Sequence, residues 1–509
     1  MPSGGRDINQ FGMRVNRGEP AYQRGEYDTE KRVDEQVHGV WWILGHEDHK
    51  AEGTARMFAE GLVWLDLNAD PWQDIAGDEA SHEPRTVYGE TATGLPMSLH
   101  AVRFIGGQEE RFAGRAHARY VADRLICGAH ANNEEQVETS ALSLSYRGLR
   151  EWLLSTAVQV PTPVPQVYPV PSTGPEDDSS VRVEEWERRL KVEADGVVVE
   201  ADVAKRLSTS NRFRSVYDTS AVLRLRSARP MTLAEWRRSW IVPLRDLVLF
   251  ATREQTVVLY IRWHGPAYPH STLGVYSPPD TQIGPPNHSE YYQRDLLPPG
   301  IWGEQGFVDL LEGWRGLYLS LGSVATSLFE VLNTVDIPPL TRLLRLTACA
   351  EGYHRVLHNE RPFAPDEHDE MVDAMLNALP EDQRIRDQYR APLQYANEQS
   401  QRKRLRWLIE RAAEADTRLD GQTNVITGHL VDWRNDQTHL DKAREAPPVD
   451  ELLLLNAVLT YVLEANILLD LGIGDDTYFC LSHGHVWDDP IPTWLEAHSA
   501  SASRSRPSA

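Results

Sequence analysis

The sequence predicts an α+β multidomain protein, a β-rich N-terminal domain followed by an all-α helical bundle. Three observations predict it. From Val37 to Trp152 the apolar segments are short and punctuated by glycine, as strands and tight turns require. From Trp302 onward apolar residues recur at helical spacing instead. Between these textures lie two Pro-rich stretches, 160–180 and 266–299, where missing amide donors and fixed φ angles disfavour any regular element.

The β segments run in order through Val37–Leu44, Ala55–Met57 with Gly61–Leu67, Arg85–Tyr88, Met97–Phe104 and Ala141–Tyr146. The run Leu62 to Leu67 alternates imperfectly, which suits a strand covered on both faces. Gly94 falls where a tight strand connection is expected. Strand-like segments resume after the first Pro-rich stretch at Gly196–Glu200, Ala221–Leu225 and Thr256–Trp263. Helical spacing then covers Phe307–Leu332, Leu340–Leu357, Met371–Leu379, Leu405–Ala412, Val425–Trp433 and Leu452–Leu471. Leu405, Leu408, Ile409 and Ala412 follow the i, i+3, i+4, i+7 pattern, and Pro338 and Pro339 sit at a helix start. The expected division is a polar tail (1–34), a β-rich domain (35–300) with a Pro-rich insert (160–180), an all-α domain (301–475) and a C-terminal tail (476–509).

Composition sets the limits. A chain of 509 residues is too long for one compact core. With 52 basic and 75 acidic residues the net charge is −23, which argues against a broadly basic nucleic-acid coat. A nucleic-acid enzyme with one locally basic cleft is still allowed. Three distant cysteines, Cys127, Cys349 and Cys480, point to a reducing cytoplasm rather than a disulfide framework. Met1 to Glu30 holds no apolar signal core. Leu452–Leu471 is the most apolar stretch, but Asn456, Glu464, Asn466 and Asp470 interrupt it, so a buried helix is expected and no membrane partner.

The most chemically suggestive stretch is Asp432-Trp433-Arg434-Asn435-Asp436-Gln437-Thr438-His439. Cleaving RNA without a metal needs a group to take the 2′-OH proton, one to protonate the departing oxygen, and one to stabilise charge on phosphorus oxygens. Histidine suits the proton work, and arginine's planar fork suits the phosphate. Asn435 and His439 lie roughly 40° apart around a helix, whereas Arg434 and His439 lie roughly 140° apart. One helix therefore aims both at one phosphate only with difficulty, and a twofold dimer with a composite cleft is expected if this is an active site. A helix end with a surface arginine and a solvated histidine meets the same spacing.

A second helix adds to it. Leu340, Leu343, Leu344 and Thr347 form its apolar face, and Glu351 returns to nearly the same direction, with His354 about one turn later. An acid facing a bundle interior needs a partner, and Arg434 or His439 is the obvious one. A Glu at the solvated end of an amphipathic helix reads equally well.

Leu430–Leu440, with Arg434-Asn435 and His439, resembles the Arg-x4-6-His signature of HEPN ribonucleases, helical domains that dimerise through that motif. The helix carrying Ala350-Glu351-Gly352-Tyr353-His354 resembles the one supplying their polar residue. Gly39 to Gly45, Gly53-Thr54, Leu65-Asp66-Leu67, Gly128-Ala129-His130 and Leu149-Arg150-Glu151-Trp152 resemble the ApeA N-terminal domain. The departures are the missing proline in Trp42-Ile43-Leu44-Gly45 and the long insert near residue 170. The resemblance implies an HEPN-like bundle and a cytoplasmic anti-phage effector acting by abortive infection. It implies an endoribonuclease using His439 for proton transfer, Arg434 for phosphate, Asn435 for orientation and Glu351 in support. RNA substrate, a homodimer or higher oligomer, and a phage-derived trigger sensed by the N-terminal domain are the implied partners, with no cofactor. The alternative is a non-catalytic HEPN dimerisation or RNA-holding module.

Arg402, Lys403, Arg404 and Arg406 could hold an RNA backbone or form a solvated helix face. Cys480-x-x-His483-x-His485 and His46-x-x-His49 offer zinc donors, but neither has a clear partner group for four ligands. No Gly-x4-Gly-Lys-Ser/Thr loop and no Gly-x-Ser-x-Gly elbow is present.

Overall fold

The computed structural model describes residues 33–58, 63–69, 72, 85–110, 115–155, 182–211, 214–263, 273–276, 297, 303–334, 336–438 and 448–473. Most of both Pro-rich stretches, both tails, His439 and Cys480/His483/His485 lie outside the described residues.

The first six strands close into an antiparallel barrel. They are β1 (Val33–Ile43), β2 (Ala51–Phe58), β3 (Val63–Leu67), β4 (Arg85–Thr91), β5 (Pro96–Glu110) and β6 (Arg115–Ala122). The order β4-β1-β2-β3-β6-β5 returns from β5 to β4, which leaves no free edge in the ring. Strand β3 is buried on both faces at Val63, Trp64 and Leu65, as its imperfect alternation predicts. Gly94 takes φ +78 in the tight β4–β5 connection, its amide donating to Thr91 at 2.9 Å. The barrel is filled by Trp41, Met57, Leu65, Leu67, Met97 and Leu99 with their neighbours. Trp41 donates its indole N–H to the Gly53 carbonyl of the adjacent strand at 3.3 Å. Its ring lies against Gly89, where a Cβ would stand 2.3 Å from it. The glycine and tryptophan are thus one packing unit.

The barrel opens into a second sheet at one bend. Beyond β6 the chain continues as β7 (Arg124–Cys127), which pairs with the first part of β5 while β6 pairs with the second. Ala101 takes φ +53 at the change-over. From β7 the sheet runs on through β13 (Leu273–Tyr276), β12 (Val258–Trp263), β8 (Glu138–Tyr146), β11 (Arg214–Thr232), β10 (Val197–Asn211) and β9 (Arg182–Ala194).

Helices cover this second sheet. Three short ones were not foreseen as helices: α1 (Leu149–Ser155), α2 (Leu233–Trp236) and α3 (Val242–Thr252), the last two joined by a π-helical turn. The α2 start carries a legible signal, a capping box in which Thr232 and Glu235 satisfy each other's backbone amides. The single helix expected over Phe307–Leu332 is two, α4 (Gly303–Leu321) and α5 (Ser323–Asn333), because Gly322 takes φ +54 between them. The rest are α6 (Pro339–Leu357), α7 (Pro365–Ala378), α8 (Gln383–Gln394, unforeseen), α9 (Gln401–Ala415), α10 (Thr423–Thr438) and α11 (Val449–Asp470). Helix α11 is long and apolar enough to cross a membrane, yet most of it is buried inside the protein, against α6 and α9. Gly352 admits Val324 of α5 close to α6: a Cβ there would be 2.9 Å from Val324 Cγ2.

One apolar core runs from the second sheet into the helices, joining Leu144 and Trp236 to Phe329, Leu346, Leu408 and Leu459. Polar links cross the same boundary. Trp314 donates to the Pro243 carbonyl at 2.8 Å, Tyr318 to buried Asp246 at 2.8 Å, and Asn333 exchanges hydrogen bonds with the Thr256 backbone at 2.9 Å each.

Candidate active site

Helix α10 carries the Arg434-Asn435 pair on its last turns. Ile426, Leu430 and Val431 are buried and fix one face of the helix in the bundle. Trp433 and His429, four residues apart, share a neighbouring stripe. Both reach Oε1 of Glu451 in the first turn of α11, Trp433 Nε1 at 2.9 Å and His429 Nδ1 at 2.8 Å. Arg434 and Asn435 are half-buried, and Arg434 Nη1 donates to Asn435 Oδ1 at 3.4 Å. The helix ends at Thr438, so His439 follows directly on it, outside the described residues.

Glu351 of α6 feels the charge of Arg434 on α10. Glu351 lies on the flank of α6, half-buried, rather than at the centre of its inner face. That centre is wider than the sequence pattern allowed, running through Leu343, Leu346, Thr347, Ala350, Tyr353 and His354. Burial pushes the Glu351 carboxyl above the usual carboxylate range, and the guanidinium of Arg434, then those of Arg404 and Arg355, pull against it. The net effect is upward.

His354 sits deeper. Its ring is fully buried, edge-on to Trp407 at 4.9 Å between centroids, and neither ring nitrogen has a hydrogen-bond partner. Burial, then the charges of Arg404 and His358, hold its pKa down to about 4, so it is neutral at ordinary pH. Arg404 differs from the other members of its basic run. It is 1% exposed and donates to Glu398 at 3.0 Å, while Arg402 and Arg406 lie outside, beside Asp432 and Glu410. A basic run on a helix counts as solvated until one position turns inward, and here one does.

A second polar cluster joins α6, α9 and α11 beside His354. Asp470 of α11 accepts from Arg411 at 2.5 Å, faces His358 Nε2 at 3.1 Å, and accepts a short hydrogen bond from the Tyr353 hydroxyl. Burial would raise Asp470, but the hydrogen bonds of His358, Arg411 and Tyr353 outweigh it and bring the carboxyl down to about 2. Such a carboxylate carries no proton near neutrality and holds helices together. Glu451 is the neighbour of α10 that pattern reading missed; Asp450-Glu451 after Pro448 reads simply as an acidic first turn.

His46 and His49 stand on an exposed turn with ring centroids 6.3 Å apart. Among the described residues no group of three or more His, Cys, Asp or Glu side chains gathers as metal ligands would. Cys127 and Cys349 are buried free thiols.

Comparison with known families places these features. The family model for ApeA N-terminal domain 1 matches residues 36–311, the barrel, the second sheet and the start of α4. The family model for Apea-like HEPN matches residues 344–477, which hold Glu351, Arg434 and Asn435. No curated protein and no solved structure matches the chain.

Proposed function

The chain belongs to the ApeA family of anti-phage defence proteins and carries its HEPN domain, and on that premise we propose that it is a cytoplasmic abortive-infection effector that cleaves RNA. The observation that carries this reading is that the charge of Arg434, on α10 five residues before His439, acts on the half-buried Glu351 carboxyl of α6. A surface arginine at a helix end has no need of a half-buried acid from another helix.

In this reading the ribose 2′-oxygen attacks the adjacent phosphorus and the bond from phosphorus to the 5′-oxygen breaks. The products are a 2′,3′-cyclic phosphate and a 5′-hydroxyl. His439 moves the proton, and a second copy of the motif, across a homodimer, supplies the opposite transfer. Arg434 donates to the phosphate oxygens, where charge builds in the transition state. Asn435 holds Arg434 through its side-chain oxygen, and the Glu351 carboxylate attracts the same guanidinium from α6. A guanidinium and an imidazole already supply the charge and the proton transfers, so the step runs without a metal. The barrel and second sheet sense a phage-derived trigger.

Total RNA incubated with the triggered protein in EDTA tests this. Cleavage by the wild type, lost in Arg434→Ala and His439→Ala with the dimer intact, is the expected result. Binding of RNA without cleavage in all three would replace the enzyme by an RNA-holding dimer.

A further inference from the structure

Helix α10 ends five residues after Trp433, and a helix end frays unless something outside the helix holds it. The holding group is visible. Glu451, whose side chain is 15% exposed, accepts from Trp433 Nε1 and His429 Nδ1 on one and the same oxygen. Glu451 Oε1 accepts both contacts, from the indole N–H of Trp433 and from the imidazole of His429 at Nδ1. The two donors lie one turn apart on α10, so together they resist both sliding of the helix and rotation about its axis. Rotation matters most, because one residue corresponds to about 100° around the helix. Trp433 and Arg434 share the helix backbone, so a rotation of α10 that carries the indole off Glu451 redirects the guanidinium by the same angle.

We propose that Glu451 is a positioning residue for the ribonuclease site: from α11 it clamps the last turns of α10 and thereby sets the direction of Arg434. It touches no substrate. The proposal rests on the ribonuclease reading above, and its consequence is a loss of turnover with substrate binding kept. A misdirected catalytic group can cost on the order of 10²-fold in rate.

The test uses the full-length dimer with 15N-labelled tryptophan. Trp433→Phe assigns the Trp433 indole resonance, and Glu451→Ala and Glu451→Gln are compared with wild type. In Glu451→Ala the Trp433 indole signal should move upfield, and kcat should fall on the order of 10²-fold with KM unchanged. Glu451→Gln, which keeps an acceptor oxygen, should recover part of both and guards against a folding defect. An unmoved indole, an unchanged kcat, or a loss confined to KM overturns the clamp. If Arg434→Ala cleaves as fast as wild type, the ribonuclease reading fails and the catalytic role of Glu451 falls with it; the indole shift still reports separately whether the contact forms.

Discussion

Arg253, in the N-terminal half, donates two hydrogen bonds to Glu464 in the middle of α11, from Nε at 3.2 Å and Nη2 at 2.6 Å. Both side chains are nearly enclosed, 13% and 7% exposed. Arg253 ends α3 with φ +55, so the backbone turns left-handed as the guanidinium is delivered. The same helix that Arg253 grips at Glu464 grips α10 at Glu451, and α11 thus links the N-terminal half to the motif helix. Removing only the arginine leaves a buried carboxylate without its counter-charge. Arg253→Ala should cost about 3–5 kcal/mol, read as a fall in the urea midpoint. Replacing both partners by apolar residues, Arg253→Met with Glu464→Leu, should restore most of it. Equal losses in the single and double variants would show that the pair is not what holds this junction.

Acid should act on the bundle in two separate windows. His354 is held neutral down to about pH 4, whereas the unfolded chain takes up this proton near pH 6.5. Its contribution is therefore complete above 6.5 and is lost as pH falls toward 4, at up to about 1.4 kcal/mol per pH unit. Asp470, brought down to about 2, stabilises above the unfolded carboxylate range, and that contribution disappears between about pH 4 and 2. Asp470 keeps partial solvent contact, so its share is about 1–2 kcal/mol. Urea midpoints across pH 7 to 3 should show His354→Leu flattening the upper window and Asp470→Asn flattening only the lower. A wild-type curve without slope from 6.5 to 4 would contradict the neutral buried imidazole.

The barrel makes a sharper demand. Gly89 has Trp41 Cε3 and Cζ3 at 2.3 and 2.5 Å from the position of a Cβ, and Trp41 is fully buried among barrel side chains. The ring has nowhere to go, because its N–H is held by Gly53. Gly89→Ala should destabilise by about 1–3 kcal/mol or more by overpacking. Thermal unfolding of this variant beside Gly94→Ala, at an open turn, separates a clash from simple left-handed strain. If Gly89→Ala melts like wild type, Trp41 does not fill the barrel as described.

How far the sequence reaches depends on the range of the interaction. Strand β3, the Gly94 turn and the α9 stripe from Leu405 to Ala412 are local patterns, and each stands where periodicity puts it. Closure of the barrel through β4 pairing with both β1 and β5 is non-local, and no single segment announces it. The helices from Leu233 to Thr252 escaped because they interrupt a β texture, although Thr232 and Glu235 cap them in plain view. At the site, helical phase aimed Glu351 at the inner face of α6, whereas the structure leaves it half-buried on the flank. Arg404 and Glu451 were illegible for one physical reason: a charged side chain is buried only when a partner on another element receives it, and that partner is not in the local pattern.

The Glu351–Arg434 relationship is itself measurable without any cleavage assay. Burial raises the Glu351 carboxyl, and the Arg434 guanidinium is the largest of the three charges opposing that rise, ahead of Arg404 and Arg355. Removing Arg434 should therefore move the Glu351 titration further upward, and Arg404→Met should move it upward by less. The sign follows from the group: a carboxylate with less positive charge beside it holds its proton to higher pH. Carbon-13 labelling of glutamate side chains, with Glu351→Gln to assign the resonance, reads each titration directly. Raising the salt concentration should reproduce part of the Arg434→Ala effect, because screening weakens the same attraction. Should Glu351 titrate identically in wild type and Arg434→Ala, the two side chains do not share a site, and the acid belongs to the solvated flank of α6 alone.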